Sequence, residues 1–128
     1  DALIAVLNQD SLAGKSDADR ETGLLTHVVA YSTDEGRVLA ERIARLNQTC
    51  GIGLDVSVVF KQNINDDDGM FIHAGFRHTV MNVGSLPYAD AEYHLPGDRP
   101  ERVDLENLRR STQLVLAAVL DLDRTGAS

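Results

Sequence analysis

Cysteine occurs only once in this 128-residue chain, at Cys50. No disulfide within the chain can form, and thiol usage carries no information about compartment. Basic side chains are outnumbered, with 12 Lys and Arg against 20 Asp and Glu, a net charge of −8 with His neutral. A surface of that sign repels phosphate backbones, which argues against nucleic acid as a partner. Long apolar runs are missing too. The longest, residues 3–7 and 114–120, fall far short of the roughly 20 residues that cross a bilayer, so no membrane span is expected. Proline is scarce, and Pro87, Pro96 and Pro100 all fall between Gly84 and Arg102. There is no internal repeat and no low-complexity tract.

What is present is an ordinary globular composition, 43% hydrophobic and 25% charged. At this length it predicts one domain over residues 1–128. The chain opens on Asp1, with apolar residues from Ala2, and we expect a piece of a longer polypeptide.

Residues 2–8 form a short apolar run with β-branched members, read as a buried strand covered on both faces. Residues 13–23 read as a polar loop and residues 24–31 as a second strand. Ser32 and Glu35 fit a capping box. The helix they open runs to about Thr49, with Leu39, Ile43 and Leu46 on one face and Gly51 as the stop. Residues 54–61 alternate and predict a third strand. A helical segment follows at residues 70–74 and a fourth strand at residues 78–83. Residues 84–102 read as a long ordered loop or a functional one. Asp104 caps a last helix to about Asp123, with a core stripe of Leu105, Leu108, Val115, Val119 and Leu122. Residues 125–128 read as a frayed end. This order predicts an α/β fold, a mixed sheet flanked by helices.

Several familiar patterns fail. Gly14-Lys15-Ser16 lacks the earlier glycine of a phosphate loop, since Gln9 stands there. Gly51-Ile52-Gly53 precedes a strand and has Val56 where a third glycine is required. Around Gly69 a calcium loop would need acidic ligands at Ile64 and Gly75. Asn47-Gln48-Thr49 is a glycosylation sequon, a triplet common by chance. His27 lies within an apolar strand and reads as structural. His73 and His78 flank the Gly75 turn and read as surface and strand-end residues, although they could reach one ion.

Three clusters lie beyond strand ends or in the loops that follow, where α/β proteins place their chemistry. They are Asn8-Gln9-Asp10, Asp66-Asp67-Asp68-Gly69 with Phe71, and Tyr93-His94-Leu95-Pro96-Gly97-Asp98. Taken singly each has a plain structural explanation: a strand-end turn, a solvated acidic N-terminus, a proline-bearing loop. In order along the chain they resemble the co-catalytic dinuclear zinc aminopeptidases. That family includes the bacterial leucyl aminopeptidases and the more distant glutamate carboxypeptidases. Residues 7–10 are similar to the family's strand ending in Asn-x-Asp. Residues 66–71 with Gly75 are similar to its Ser-Asp-His-x-x-Phe…Gly segment, and residues 93–98 to its Tyr-His-x-Pro-x-Asp segment. The departures are Asp66 for serine, Asp68 for histidine and Arg77 where proline often follows the glycine.

The resemblance implies a zinc-dependent exopeptidase of the aminopeptidase type with two zinc ions, acting on peptides through a metal-bridged water. It implies Asp10 and His94 as metal ligands and Tyr93 as an oxyanion donor, a role only as well supported as simple loop packing. Asp67, Asp68 and Asp98 fall in the second shell or the pocket. Relatives are often secreted or periplasmic. The family's His-x-Asp, which bridges the metals, and its Glu-Glu pair, which supplies the general base and a ligand, do not occur in this sequence. The chain therefore reads as the C-terminal part of a catalytic domain whose upstream part supplies the rest, and as inactive alone with at most a partial metal site. The alternatives are a non-catalytic peptidase-like α/β domain for binding or assembly, and a calcium- or magnesium-binding domain using Asp66, Asp67 and Asp68.

Overall fold

The computed structural model describes residues 3–85 and 90–127. Ala2, Pro87 and Ser128, part of the readings above, lie outside them. Four strands, β1 (Val6–Gln9), β2 (Thr26–Tyr31), β3 (Asp55–Phe60) and β4 (Thr79–Val83), form one mixed sheet in the order β1-β4-β2-β3. Two parallel pairs, β1 with β4 and β2 with β3, meet at an antiparallel β2–β4 seam. The helices are α1 (Asp17–Thr22), α2 (Asp34–Thr49), α3 (Asp67–His73) and α4 (Leu105–Thr125), with a 3-10 turn at Pro100–Arg102. This is the expected α/β class.

One face of the sheet packs on α2 and α4 through Val29, Leu39, Ile43, Val80, Leu114, Ala118 and Leu122. The other carries a smaller cluster of Val28, Ala30, Met81 and Val83. β4 is buried throughout, being central and covered on both sides. β1 is not the doubly covered strand its composition suggested. It is a four-residue edge strand, half-buried, because only Leu7 and the preceding Ala5 reach the larger cluster.

Several boundaries move for identifiable reasons. Residues 13–23 contain a helix, α1: the Ser16 hydroxyl accepts the Asp19 amide, acidic residues occupy the first turn and Gly23 closes it at φ 68°. The cap of α2 is Thr33, whose hydroxyl accepts the Gly36 amide at 2.9 Å. Ser32 instead donates to the Lys61 carbonyl, and Glu35 binds Arg77. The chain's end is tied rather than frayed up to Gly126, because Arg42 binds Asp121, Thr125 and the Gly126 carbonyl. The sequon asparagine, Asn47, is buried and makes two hydrogen bonds to the Leu54 backbone.

The core face of α4 differs most. Val115 and Leu122 are buried and Leu108 is half-buried, but Leu105 and Val119 are exposed. The inward face carries Asn107 and Ser111, because they satisfy polar groups in the sheet. Asn107 accepts the Thr26 amide and donates to the Thr26 carbonyl, both at 2.8 Å. His27, fully buried, meets Ser111 Oγ through Nδ1 at 2.9 Å and Asn82 Oδ1 through Nε2 at 3.0 Å. Asn82 in turn donates to the Asn8 carbonyl. The network joins β1, β4, β2 and α4.

Burial pushes the His27 imidazole below its ordinary value of 6.5, and the Asn82 bond only partly opposes this. The unfolded chain thus takes up a proton near 6.5 that the folded chain refuses. Stability from this group is present above that value and is lost as pH falls toward the folded value. Each unit of depression is worth about 1.4 kcal/mol. Urea midpoints should therefore drop from about pH 7.5 to about pH 5.5. His27→Gln should be less stable at the upper pH and show a flatter slope. Equal slopes would refute the assignment.

Candidate functional site

The end of β1 builds the first wall of the site. The Asp10 amide donates to the Asn82 carbonyl, continuing the ladder one residue past the strand. The chain then turns at Ser11, which takes a left-handed φ of 48°. The Ser11 carbonyl accepts both the Gly14 and Gly84 amides at 3.1 Å, locking this turn to the end of β4. A Cβ on Gly84 would lie 2.2 Å from the Leu12 carbonyl oxygen, so only glycine lets the two segments approach.

Beside this turn lies a cavity of about 310 Å³. Met81, Val83, Leu12, Val103 and Leu108 give it an apolar lining, while Asp10, Asp66, Asp90, Asp98, Arg99 and Arg102 supply its charged groups. Tyr93 also lines it. All three sequence clusters thus reach one cavity, represented by Asp10, by Asp66, and by Tyr93 with Asp98. The second arrives by an unexpected route. β3 runs opposite to β1 and β4, so its C-terminus lies at the opposite end of the sheet from theirs. The segment after it must cross the Met81–Val83 face to place Asp66 on the cavity.

His94 is not on the cavity wall. It is exposed, in a left-handed conformation at φ 58°, with its ring stacked on Tyr93 at 3.9 Å. Ser11 and His94 are the two non-glycine residues with positive φ among those described. Such conformations are costly and concentrate where the backbone is held for a purpose.

The acidic run is divided. Asp67 is exposed in the first turn of α3. Asp68, 1% exposed, and Asp66 are both held by Lys61, whose Nζ lies 2.9 Å from Asp68 Oδ1 and 2.8 Å from Asp66 Oδ2. Burial alone would lower the Lys61 pKa, but the two carboxylates outweigh it and raise the value. Two of the three carboxylates of the calcium or magnesium reading are thus already paired with an ammonium. By sequence pattern Lys61 is simply the last residue of the third strand. Its position seven before Asp68, across a turn, was the available signal.

Two further ion-pair groups frame the cavity. Lys15, 1% exposed, donates to Asp104 at 2.7 Å and to the Leu24 carbonyl. This fixes the loop after β1 to the residue that caps α4. Asp90 is gripped by Arg102 at 2.7 Å and Arg20 at 3.3 Å. Burial would raise its carboxyl, yet the Glu92 amide and Arg102 hold it below the ordinary carboxylate range. In the sequence Lys15 has only a phosphate-loop pattern around it, and the arginines stand in no motif.

The donor chemistry suits a metal in part. Asp10 offers a carboxylate whose side-chain partner among the described residues is the Ser11 hydroxyl, and His94 offers an exposed imidazole. Among the described residues, however, no three His, Cys, Asp or Glu side chains gather as a metal-holding group, His73 and His78 included. No described helix is long and apolar enough to cross a membrane.

Two substitutions test this construction. Gly69→Ala would put a Cβ 1.8 Å from the Ile64 carbonyl oxygen. The overpacking should cost about 1–3 kcal/mol in urea unfolding, and an unchanged midpoint would contradict the close approach. Lys61→Met should cost about 3 kcal/mol by leaving Asp68 buried and unpaired, with much of the loss recovered by adding Asp68→Asn. Comparison with protein-family models, with curated proteins and with solved structures finds no match in any of the three.

Proposed function

We propose that this chain is the C-terminal part of the catalytic domain of a zinc-dependent, aminopeptidase-type exopeptidase. The observation that carries the reading is the arrival of Asp10, Asp66, Tyr93 and Asp98, from three separated segments, at one small cavity beside the end of β1. Its size is at the low end for small-molecule sites, which suits the end of a peptide better than a long stretch of one.

By the resemblance Asp10, on the cavity wall, would hold metal through a carboxylate oxygen, and His94, exposed and off that wall, through a neutral imidazole nitrogen. Two zinc ions, when bound, supply Lewis acidity and an activated water. Tyr93 lines the cavity, and by the resemblance its hydroxyl would donate to an oxygen gaining negative charge on the substrate. The apolar lining accommodates a side chain and excludes water around it. The bridging carboxylate and the general base come from the upstream part of the same domain, so the 128-residue chain alone hydrolyses no peptide. By the same resemblance the parent protein would be secreted or periplasmic.

A second reading, a non-catalytic peptidase-like domain for binding or assembly, is favoured by one observation. The Lys61 ammonium neutralises the acidic run at Asp66 and Asp68, where the resembling enzymes carry serine and histidine.

The test is hydrolysis of aminoacyl-nitroanilides by the isolated chain and by the parent protein with zinc. We expect turnover by the parent alone, at least a hundredfold reduced, on the order of 3 kcal/mol, by Asp10→Ala or His94→Ala. Turnover by the isolated chain, or a parent that zinc neither activates nor stabilises, would refute the reading, the latter outcome supporting the binding domain.

A further inference from the structure

The charges on the cavity wall do not all remain available to a ligand. Of the six charged side chains there, Asp66 is paired with Lys61, and Asp90 and Arg102 are paired with each other. Arg102 also reaches Asp17 at 3.5 Å. Asp10, Asp98 and Arg99 are left without an ion pair among the described residues. Asp10 is claimed by the metal in the function proposed above. Arg99 then stands out among the described residues as the one unpaired cation on a wall whose other unpaired charges are Asp10 and Asp98, in a chain of net charge −8.

Its position is held by the local backbone. Arg99 precedes the 3-10 turn that Pro100 opens, and its Nε donates to the Pro96 carbonyl at 3.5 Å. That contact leaves the two terminal guanidinium nitrogens, the pair that binds a carboxylate bidentately, without a partner among the described residues. A substrate carrying only apolar and neutral groups would make no use of them. A substrate with a carboxylate would meet repulsion from Asp10 and Asp98 unless Arg99 received it.

We propose that Arg99 is a specificity-determining residue that binds a carboxylate of a short peptide in this cavity. The inference rests on the reading of the cavity as a peptide site. The carboxylate has two sources, the C-terminus of a dipeptide or an acidic side chain, and both present the same group to the guanidinium. Because Arg99 is exposed, solvent screens the pair, and the preference is modest rather than absolute.

The experiment titrates the metal-free 128-residue chain with three probes and follows backbone amide resonances by NMR. Ala-Ala carries only a terminal carboxylate, Glu-Ala-amide only a side-chain carboxylate, and Ala-Ala-amide neither. We expect one or both carboxylate probes to bind about fivefold more tightly than Ala-Ala-amide, with shifts at Leu12, Gly14 and Val103. The preferred probe identifies the source. Arg99→Gln should abolish the preference and Arg99→Lys should retain part of it. Equal affinity for all three probes, a preference that survives Arg99→Gln, shifts confined to other surfaces, or no binding of any probe would each overturn the proposal. The peptidase reading is decided separately, by zinc-dependent turnover in the parent. An inactive parent with a chain that still prefers carboxylates would leave Arg99 standing, and the converse would remove it alone.

Discussion

The β2–β4 seam is where two oppositely directed halves of the sheet must agree. Each parallel pair could satisfy its own ladder, but at the seam β2 and β4 run against each other with His27 and Asn82 fully buried. A buried polar side chain without partners costs on the order of 1–3 kcal/mol. Here both are satisfied only if Ser111 on α4 and the Asn8 carbonyl on β1 are in place. The polar groups therefore specify which elements meet, while the apolar clusters on either face supply most of the driving force.

The candidate site inherits its shape from that arrangement. Asp10 leaves β1 where the Asn82 carbonyl holds its amide, and Asn107 donates to both the Leu12 and Thr26 carbonyls. The same helix is capped by Asp104, to which Lys15 is paired. The first cavity wall is thus braced from the sheet, from α4 and from the preceding loop. The loop carrying Tyr93 and Asp98 is attached differently, through Arg20 and Arg102 to Asp90. One wall belongs to the core and the other is held by surface-near ion pairs, which weaken with salt.

Much of this was legible in the amino-acid order. Alternation over β3, the apolar periodicity of α2 and the Asp104 cap each announced an element whose local preference agrees with its place. The exceptions share a cause. Val119 and Leu105 fit an inward stripe by period and chemistry, yet the inward face goes to Asn107 and Ser111, because a partner for His27 and Thr26 outweighs one more aliphatic contact. β1 reads as a central strand because composition cannot say where a sheet ends. At the site, Asp10, Tyr93 and Asp98 were found as motif residues. Lys61 and Arg99 were not, since a lone basic residue acquires meaning only from the carboxylates folding brings to it or leaves away from it.

Asn47 shows what such burial does to a sequence signal. Its amide group closes the turn between α2 and β3, with nitrogen and oxygen both engaged by Leu54. In a eukaryotic secretory setting, the one in which the triplet has meaning, a sugar would have to be joined to that same nitrogen. In the mature fold the triplet is therefore silent. Sugar attached there would mark a polypeptide modified before α2 docked, and would hold it out of the native state, making glycan occupancy at this position a record of folding history rather than of surface chemistry.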